Sequence, residues 1–311
     1  MAGGFGGLLA NSETVDRLLS EMDPADKKSL QSWYWFDWAN QAFALTVITV
    51  VVPTLLSNMF NLANGGSADY AGMTFTGDSF YAVVLGISSV FVAIVSPVLG
   101  AIADRMPIKK KVLKVYTVVG ILFTGLMGLA PYMDDNSSYK FLAVCLIMGN
   151  IGFAGGHAIY SAFLPYLGDK RLMDHISSWG YAYGFLGGCI LLTVHLAVGL
   201  RFGFENPDVQ CFVFVTSALW WLGFSVPMFR NTPEPEIPNP TEYPNVFEAV
   251  KDGLREIKST FSEIRRYKVL SLFMCGYLLF YDGVNAIGGL AAAYADSVLR
   301  IDFTMNFVLL L

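Results

Sequence analysis

Apolar residues along the chain gather in seven runs of membrane-crossing length: 38–58, 80–103, 112–132, 141–166, 179–200, 210–229 and 269–294. A helix needs about 20 mostly apolar residues to cross a hydrocarbon core. An eighth run begins near Phe303 and reaches Leu311 in nine residues, too few to cross as a helix. The pattern predicts an all-α integral membrane protein that stops inside its eighth span. The expectation is a fragment, or a chain whose bundle a membrane-protein partner completes.

The polar segments between the runs set an orientation. Basic residues number three in the tail (Arg17, Lys27, Lys28), five between the second and third runs, two between the fourth and fifth (Lys170, Arg171) and seven between the sixth and seventh. The alternate connections hold only Lys140, Arg201 and Arg300. Lysine and arginine concentrate on the cytoplasmic side of membrane proteins. The N-terminus is therefore expected in the cytoplasm.

The connection after the sixth run divides the chain. Pro233, Pro235, Pro238, Pro240 and Pro244 deny it helix and favour an extended spacer. After them Phe247, Val250, Leu254, Ile257, Phe261 and Ile264 recur at three- and four-residue steps, one apolar stripe on an otherwise charged helix. Such a helix lies against the bundle or the lipid headgroups, or is an ordinary amphipathic linker. The expected organisation is a tail (1–32), a six-helix unit (33–230), a cytoplasmic linker (231–268) and the start of a second unit (269–311).

Composition agrees and excludes other classes. Charged residues make up 14 % of the chain, against about 25 % in soluble domains, while 54 % are apolar. With a net charge of −5 and no basic stripe interleaved with aromatics, nucleic acid is not an expected partner. Cys145, Cys189, Cys211 and Cys275 each sit alone in an apolar run, and the three histidines are widely spread. Neither a metal site nor another cofactor is expected. No basic segment precedes an apolar core as in a secretory signal, and Ala2 rules out N-myristoylation.

Charge inside a span is costly and normally faces the bundle interior or a cavity. Two acids stand out. Asp37 opens the first run and Asp282 lies midway in the seventh. Both belong to the pattern aromatic-Asp-x-x-Asn, Phe36-Asp37-x-x-Asn40 and Tyr281-Asp282-x-x-Asn285, which sets an acid and an amide on one helical face. Repetition at the first helix of each unit suits transporters built from structural repeats, with the site between halves. Asp37 also stands where a helix cap would, and Asp282 also suits a hydrogen-bonded structural role. His157, after Gly155-Gly156 and before Tyr160, either faces a cavity and titrates or bonds a neighbouring helix as neutral imidazole. His195, with Thr193 as its polar neighbour, is expected near the far interface. Gly149, Gly152 and Gly156, with Gly180, Gly184, Gly187 and Gly188, are spaced for close helix packing, with rocking motion a secondary role.

These features resemble the major facilitator superfamily. Gly100-Ala101-Ile102-Ala103-Asp104-Arg105 is similar to its G-x-L-A-D-R signature between the second and third spans. There the signature continues x-G-R-K, but this chain reads Met106-Pro107-Ile108-Lys109, without the glycine and the first basic position. Asp104 is placed to meet an adjacent helix N-terminus, with Arg105 and the lysines facing the cytoplasm as a gating loop that includes Gly100. Phe36-Asp37-Trp38-Ala39-Asn40-Gln41-Ala42-Phe43 resembles the Y-D-W-A-N-S-A-F opening of the autophagy-related vacuolar effluxer family and its prokaryotic relatives. Residues 176–188, Ile-Ser-Ser-Trp-Gly-Tyr-Ala-Tyr-Gly-Phe-Leu-Gly-Gly, are similar to that family's V-S-S-x-G-x-A-x-G-Y-x-G-G. Tyr281-Asp282-Gly283-Val284-Asn285 resembles its N-D-G-x-N.

The resemblance covers about residues 33–311. It implies a major-facilitator-like bundle, a six-helix N-terminal half plus the first one to two helices of a C-terminal half, and export of a small-molecule solute. In the fungal members that export is amino-acid efflux from a degradative vacuole. Asp37 and Asp282 are expected to bind a proton or cationic group, and Asn40 and Asn285 to orient the solute. His157 and Tyr160 complete the candidates. The membrane would be vacuolar or another organellar membrane in a eukaryote and the plasma membrane in a prokaryote. The competing expectation is a non-transporting, transporter-derived subunit of a membrane complex. No nucleophile–base pair or metal-ligand set has the spacing for an enzyme.

Overall fold

The computed structural model describes residues 12–237, 240–241, 243–244, 246–264, 266–301 and 305. The rest of the eighth apolar run, Pro238 and Arg265 lie outside the described residues, as do the side chains of Phe261 and Asn285.

The chain folds as α1 (Ser12–Glu21), α2 (Pro24–Gln41), a π-helical stretch (Ala42–Val51), α3 (Val52–Asn64), a hairpin of β1 (Ala68–Tyr70) and β2 (Met73–Phe75), and then long helices. These are α4 (Gly77–Ala103), α5 (Lys109–Met127), α6 (Asp135–Ser161), α7 (Met173–Phe202), α8 (Pro207–Asn231), α9 (Val246–Ile264) and α10 (Lys268–Ser297). Among the described residues six helical segments are long and apolar enough to cross a membrane, each over one of the first six apolar runs. The first, Pro24–Asn64, joins α2, the π-helical stretch and α3. The boundary expected at residue 33 falls inside it, because Pro24 supplies the pre-set φ of a first helical turn. α10 covers the seventh run with thirty residues.

Local chemistry marks the starts. Thr76 and Ser79 form a capping box at α4. Asp134 accepts from the Ser137 N–H at α6, and Asn206 from the Asp208 N–H at α8, where Pro207 opens the helix. The hairpin turns at Ala71 and Gly72, both at positive φ, as a two-residue turn between twisted strands requires.

The π-helical stretch follows from Pro53. Proline lacks an N–H, and inside an α-helix its ring presses on the carbonyl four residues back. Widening the preceding turns to five-residue bonding absorbs this. The Val52 N–H reaches the Val47 carbonyl, and the Thr49 hydroxyl donates to the Ala44 carbonyl at 2.8 Å. Pro53 then sits in the first turn of α3.

Close packing rests on small residues, as in membrane bundles generally. A Cβ on Gly152 of α6 would lie 2.4 Å from the Gly120 nitrogen of α5. On α7, a Cβ on Gly180 would strike the Trp33 ring, on Gly184 Asp37 and Gln41, on Gly187 Trp38, and on Gly188 Leu45. The expected packing glycines of the fifth run thus form a groove for the first span. α4 turns an apolar face outward, with Ile87, Val90 and Ile94 all more than half exposed, a surface for lipid rather than water.

Gly152→Ala is expected to destabilise the bundle by about 2 kcal/mol, the cost of overpacking against rigid backbone. Gly100→Ala, where a Cβ meets open space, is expected to be neutral. Thermal unfolding in detergent separates the two, and equal melting temperatures would show that α5 and α6 separate at no cost.

Candidate functional site

Asp37 and Asn40 lie on one face of α2, 3 % and 2 % exposed. Asp37 is not the helix cap, since α2 starts thirteen residues earlier, at Pro24. It owes its burial to Gly184, whose missing side chain leaves room for the carboxylate; a Cβ there would lie 2.9 Å from Asp37 Oδ2. Asp37 Oδ1, Trp38 Nε1 and Asn40 Nδ2 are buried with no hydrogen-bond partner among the described residues. Buried polar groups are nearly always satisfied, so exceptions gathered on one turn of helix mark a working site.

α6 brings the other two candidates to this face. Tyr160 stacks on Trp33 with ring centroids 4.4 Å apart and on Phe36 at 5.2 Å. Its hydroxyl donates to the Trp33 carbonyl at 3.3 Å, and Trp33 Nε1 donates to the Tyr160 carbonyl at 3.3 Å. The His157 ring lies 5.6 Å from that of Tyr160. His157 Nδ1 is buried with no partner among the described residues. α8 adds Ser217, Trp221 and Ser225, four residues apart on one buried face, each with a buried polar atom that also lacks a partner. Phe43 ties these walls together, 5.5 Å from Phe153 of α6 and 5.4 Å from Trp221.

Asp282 is not brought to Asp37; it is exposed on α10. Asn285 is on the same helix, its side chain outside the described residues. Tyr181 of α7, next to Gly180 of the glycine groove, packs its ring 5.3 Å from that of Phe185. Tyr277 and Tyr281 stack at 5.7 Å.

His195 is wholly buried, Nδ1 3.3 Å from the Thr46 hydroxyl and Nε2 2.8 Å from that of Thr216. Both partners lie on other helices, so its own neighbour Thr193 was no guide. Thr193 instead donates to the Cys189 carbonyl.

The turn between α4 and α5 is a second constellation. Asp104 pairs with Lys109 Nζ, from the first residue of α5, at 2.7 Å. Lys109 itself does not face outward as expected: it is 1 % exposed, over the Tyr166 ring. Arg105 is compensated by acids of the linker. Its guanidinium bonds Asp252 of α9 at 2.6 Å and also Glu256. Tyr243 donates to Asp252 at 2.8 Å, and the Thr241 N–H donates to the Arg105 carbonyl at 2.9 Å. Tyr243 and the charges of Glu256 and Asp252 push the Arg105 guanidinium further above its ordinary range. Lys110 Nζ donates to the Thr232 carbonyl at 2.6 Å, and its N–H to Glu234 at 2.8 Å. Gly100 contributes no close contact.

Membrane-length helices packed through glycines, a buried acid in the first span and a G-x-x-A-D-R turn after the second define a helical membrane bundle of the major facilitator type. A family model described as "Vacuole effluxer Atg22 like" matches residues 25–173 and 168–311, and the chain belongs to that family. It is 27 % identical to the "Uncharacterized MFS-type transporter YxiO" of Bacillus subtilis, with 87 % of this chain and 61 % of the relative covered. It is 21 % identical to "Autophagy-related protein 22" of Kluyveromyces lactis, with 88 % and 62 % covered. With "Autophagy-related protein 22" of Coccidioides immitis it shares 22 %, with 90 % and 61 % covered. The chain thus spans about three fifths of each of these relatives.

Arg105→Ala is expected to weaken the docking of α9 by roughly 1 kcal/mol, the scale of a partly exposed charge cluster. Amide exchange across Val246–Ile264 should then accelerate severalfold. Unchanged exchange would show that Ala249 and Gly253 hold the helix unaided.

Proposed function

We propose that this chain belongs to a secondary transporter that works by alternating access, exporting amino acids or similar small polar metabolites, with proton coupling. The observation that carries the reading is Asp37: a carboxyl 3 % exposed inside a membrane-length helix, with Oδ1 unpartnered. An acid held there without a cation is costly, so binding a proton or an amino group relieves it. Asn40 and His157, with unpartnered buried nitrogens, offer polar contacts to the solute, and Tyr160 closes the aromatic wall beside them. Asp282 and Asn285 repeat the chemistry on α10 and act from the second half.

In this reading the N-terminus and the linker are cytoplasmic, and Gly100, Asp104 and Arg105 gate that side. Residues 33–230 act as the first rocking unit, and 269–311 open the second. The description "vacuole effluxer" attached to the family supports export, into the cytosol from a vacuole or other organelle in a eukaryote and across the plasma membrane in a prokaryote.

The test is transport of labelled amino acids by the full-length protein in liposomes under a pH gradient. Asp37→Asn and Asp282→Asn are each expected to lower gradient-driven flux about tenfold or more while the protein stays folded. Full gradient-driven flux in both variants would remove the coupling role.

A further inference from the structure

α9 divides its circumference into four sectors. Ala249, buried, and Gly253 face α4; a Cβ on Gly253 would lie 3.2 Å from the Val98 carbonyl and 3.4 Å from Ile102 Cγ1. Next to them Asp252 and Glu256 turn to Arg105. Beyond the acids come Lys251, Arg255 and Lys258, at four- and three-residue steps and all exposed. The fourth sector is the apolar stripe. Its edge residues Val250 and Ile257 are half-buried, while Phe247 is 75 % and Leu254 54 % exposed. Phe247, Val250, Lys251, Leu254, Arg255 and Lys258 line one shallow groove of about 360 Å³.

The arrangement is the reverse of a helix that hides its apolar stripe against its own protein. Acids and small residues are spent on docking, and large apolar side chains beside bases are turned outward. We propose that this outward face lies in the headgroup layer and binds anionic lipid. Phe247 and Leu254 enter the boundary with the acyl chains, and Lys251, Arg255 and Lys258 meet the lipid phosphates.

Charge complementarity selects this occupant. The bases stand next to the stripe, and two of the four acids of α9, Asp252 and Glu256, are drawn toward Arg105. Glu248 lies 3.7 Å from Lys251, and Glu263, exposed in the last turn, accepts from the Ser259 hydroxyl. Position agrees: α9 rests on the end of a membrane-length helix. The exposed Arg266, Tyr267 and Lys268 that follow are residue types of the membrane interface. The surface is a lipid contact, inferred independently of transport through the bundle.

The experiment uses full-length protein in lipid nanodiscs, with native cysteines replaced and Phe247→Cys carrying an environment-sensitive fluorophore. Nitroxide-bearing lipids report contact by quenching. If the cysteine-free background fails to fold, a genetically encoded fluorescent residue at position 247 takes its place. Strong quenching is expected in discs containing phosphatidylglycerol, falling about threefold in pure phosphatidylcholine and in a Lys251→Gln, Arg255→Gln, Lys258→Gln variant. A label at Glu263 should stay unquenched throughout. An unquenched label at 247 in both lipids would overturn the proposal, since another part of the chain or a second copy would then cover the stripe. Equal quenching regardless of lipid charge and of the three bases would overturn it as well, leaving apolar insertion without headgroup recognition.

Discussion

The seating of the first span in the glycine groove of α7 is the contact on which the rest depends. Trp33, Asp37, Gln41, Trp38 and Leu45 occupy the space left by Gly180, Gly184, Gly187 and Gly188. Lipid gives no hydrophobic drive for helices to associate, so backbones must approach closely enough for dispersion to hold them. The same approach shuts lipid away from Asp37. A side chain at Gly184 would return that carboxyl to a position in which a membrane protein does not keep one. Packing and site therefore share one set of glycines. The aromatic walls inherit their positions from it: Tyr160 stacks on Trp33, and Trp220 Nε1 donates to the Trp38 carbonyl at 3.3 Å.

Among the described residues, most of the buried polar atoms without a partner lie on three helices; Thr54 Oγ1, Ser96 Oγ and Glu234 Oε1 are the others. α2 supplies Asp37, Trp38 and Asn40, α6 supplies His157, and α8 supplies Ser217, Trp221 and Ser225. Other interior polar groups are paired. Asn150 donates to Ser88 at 2.7 Å, and His195 is held from both sides by Thr46 and Thr216. The contrast between the two buried histidines is informative. His195 has the partners that fix a structural imidazole, whereas His157 Nδ1 has none, which is the arrangement expected of a group that exchanges partners. The π-helical stretch adjoins this region, and wide turns of that kind recur at functional sites because they loosen the backbone ladder locally.

What was legible in the sequence was whatever depends on composition over a long window. Six apolar runs became six membrane-length helices, because twenty apolar residues have few alternatives. The glycine spacing of the fifth run was legible for the same reason: it repeats at helical steps. What depended on a single partner far along the chain was not. Thr46 and Thr216 lie 149 and 21 residues from His195, and no local pattern joins them. The fate of α9 was half legible. Its apolar stripe was plain at Phe247, Val250 and Leu254, but the face that docks is the one with Ala249 and Gly253. Close backbone approach and the charge of Arg105 outweighed the burial of the larger side chains. Pro53 was a missed signal, since a proline inside an apolar run always demands an adjustment of the turns before it.

The α4–α5 turn shows how a rigid bundle can end in a soft connection. Asp104 and the buried Lys109 tie two helix ends together, and removing Asp104 would leave the Lys109 ammonium buried without its carboxylate. Arg105 is different in kind. Its side chain is 38 % exposed and its two acids 31 % and 45 %, so each pairing contributes on the order of 1 kcal/mol or less. The packing of Ala249 and Gly253 against α4 adds to it. A clamp of this strength does not hold the fold together, because the six helices pack without it. It sets the position of α9 relative to the end of α4. Neighbouring residues in one motif thus divide the work: Asp104 fixes the geometry of the turn, and Arg105 attaches the linker that follows the six-helix unit.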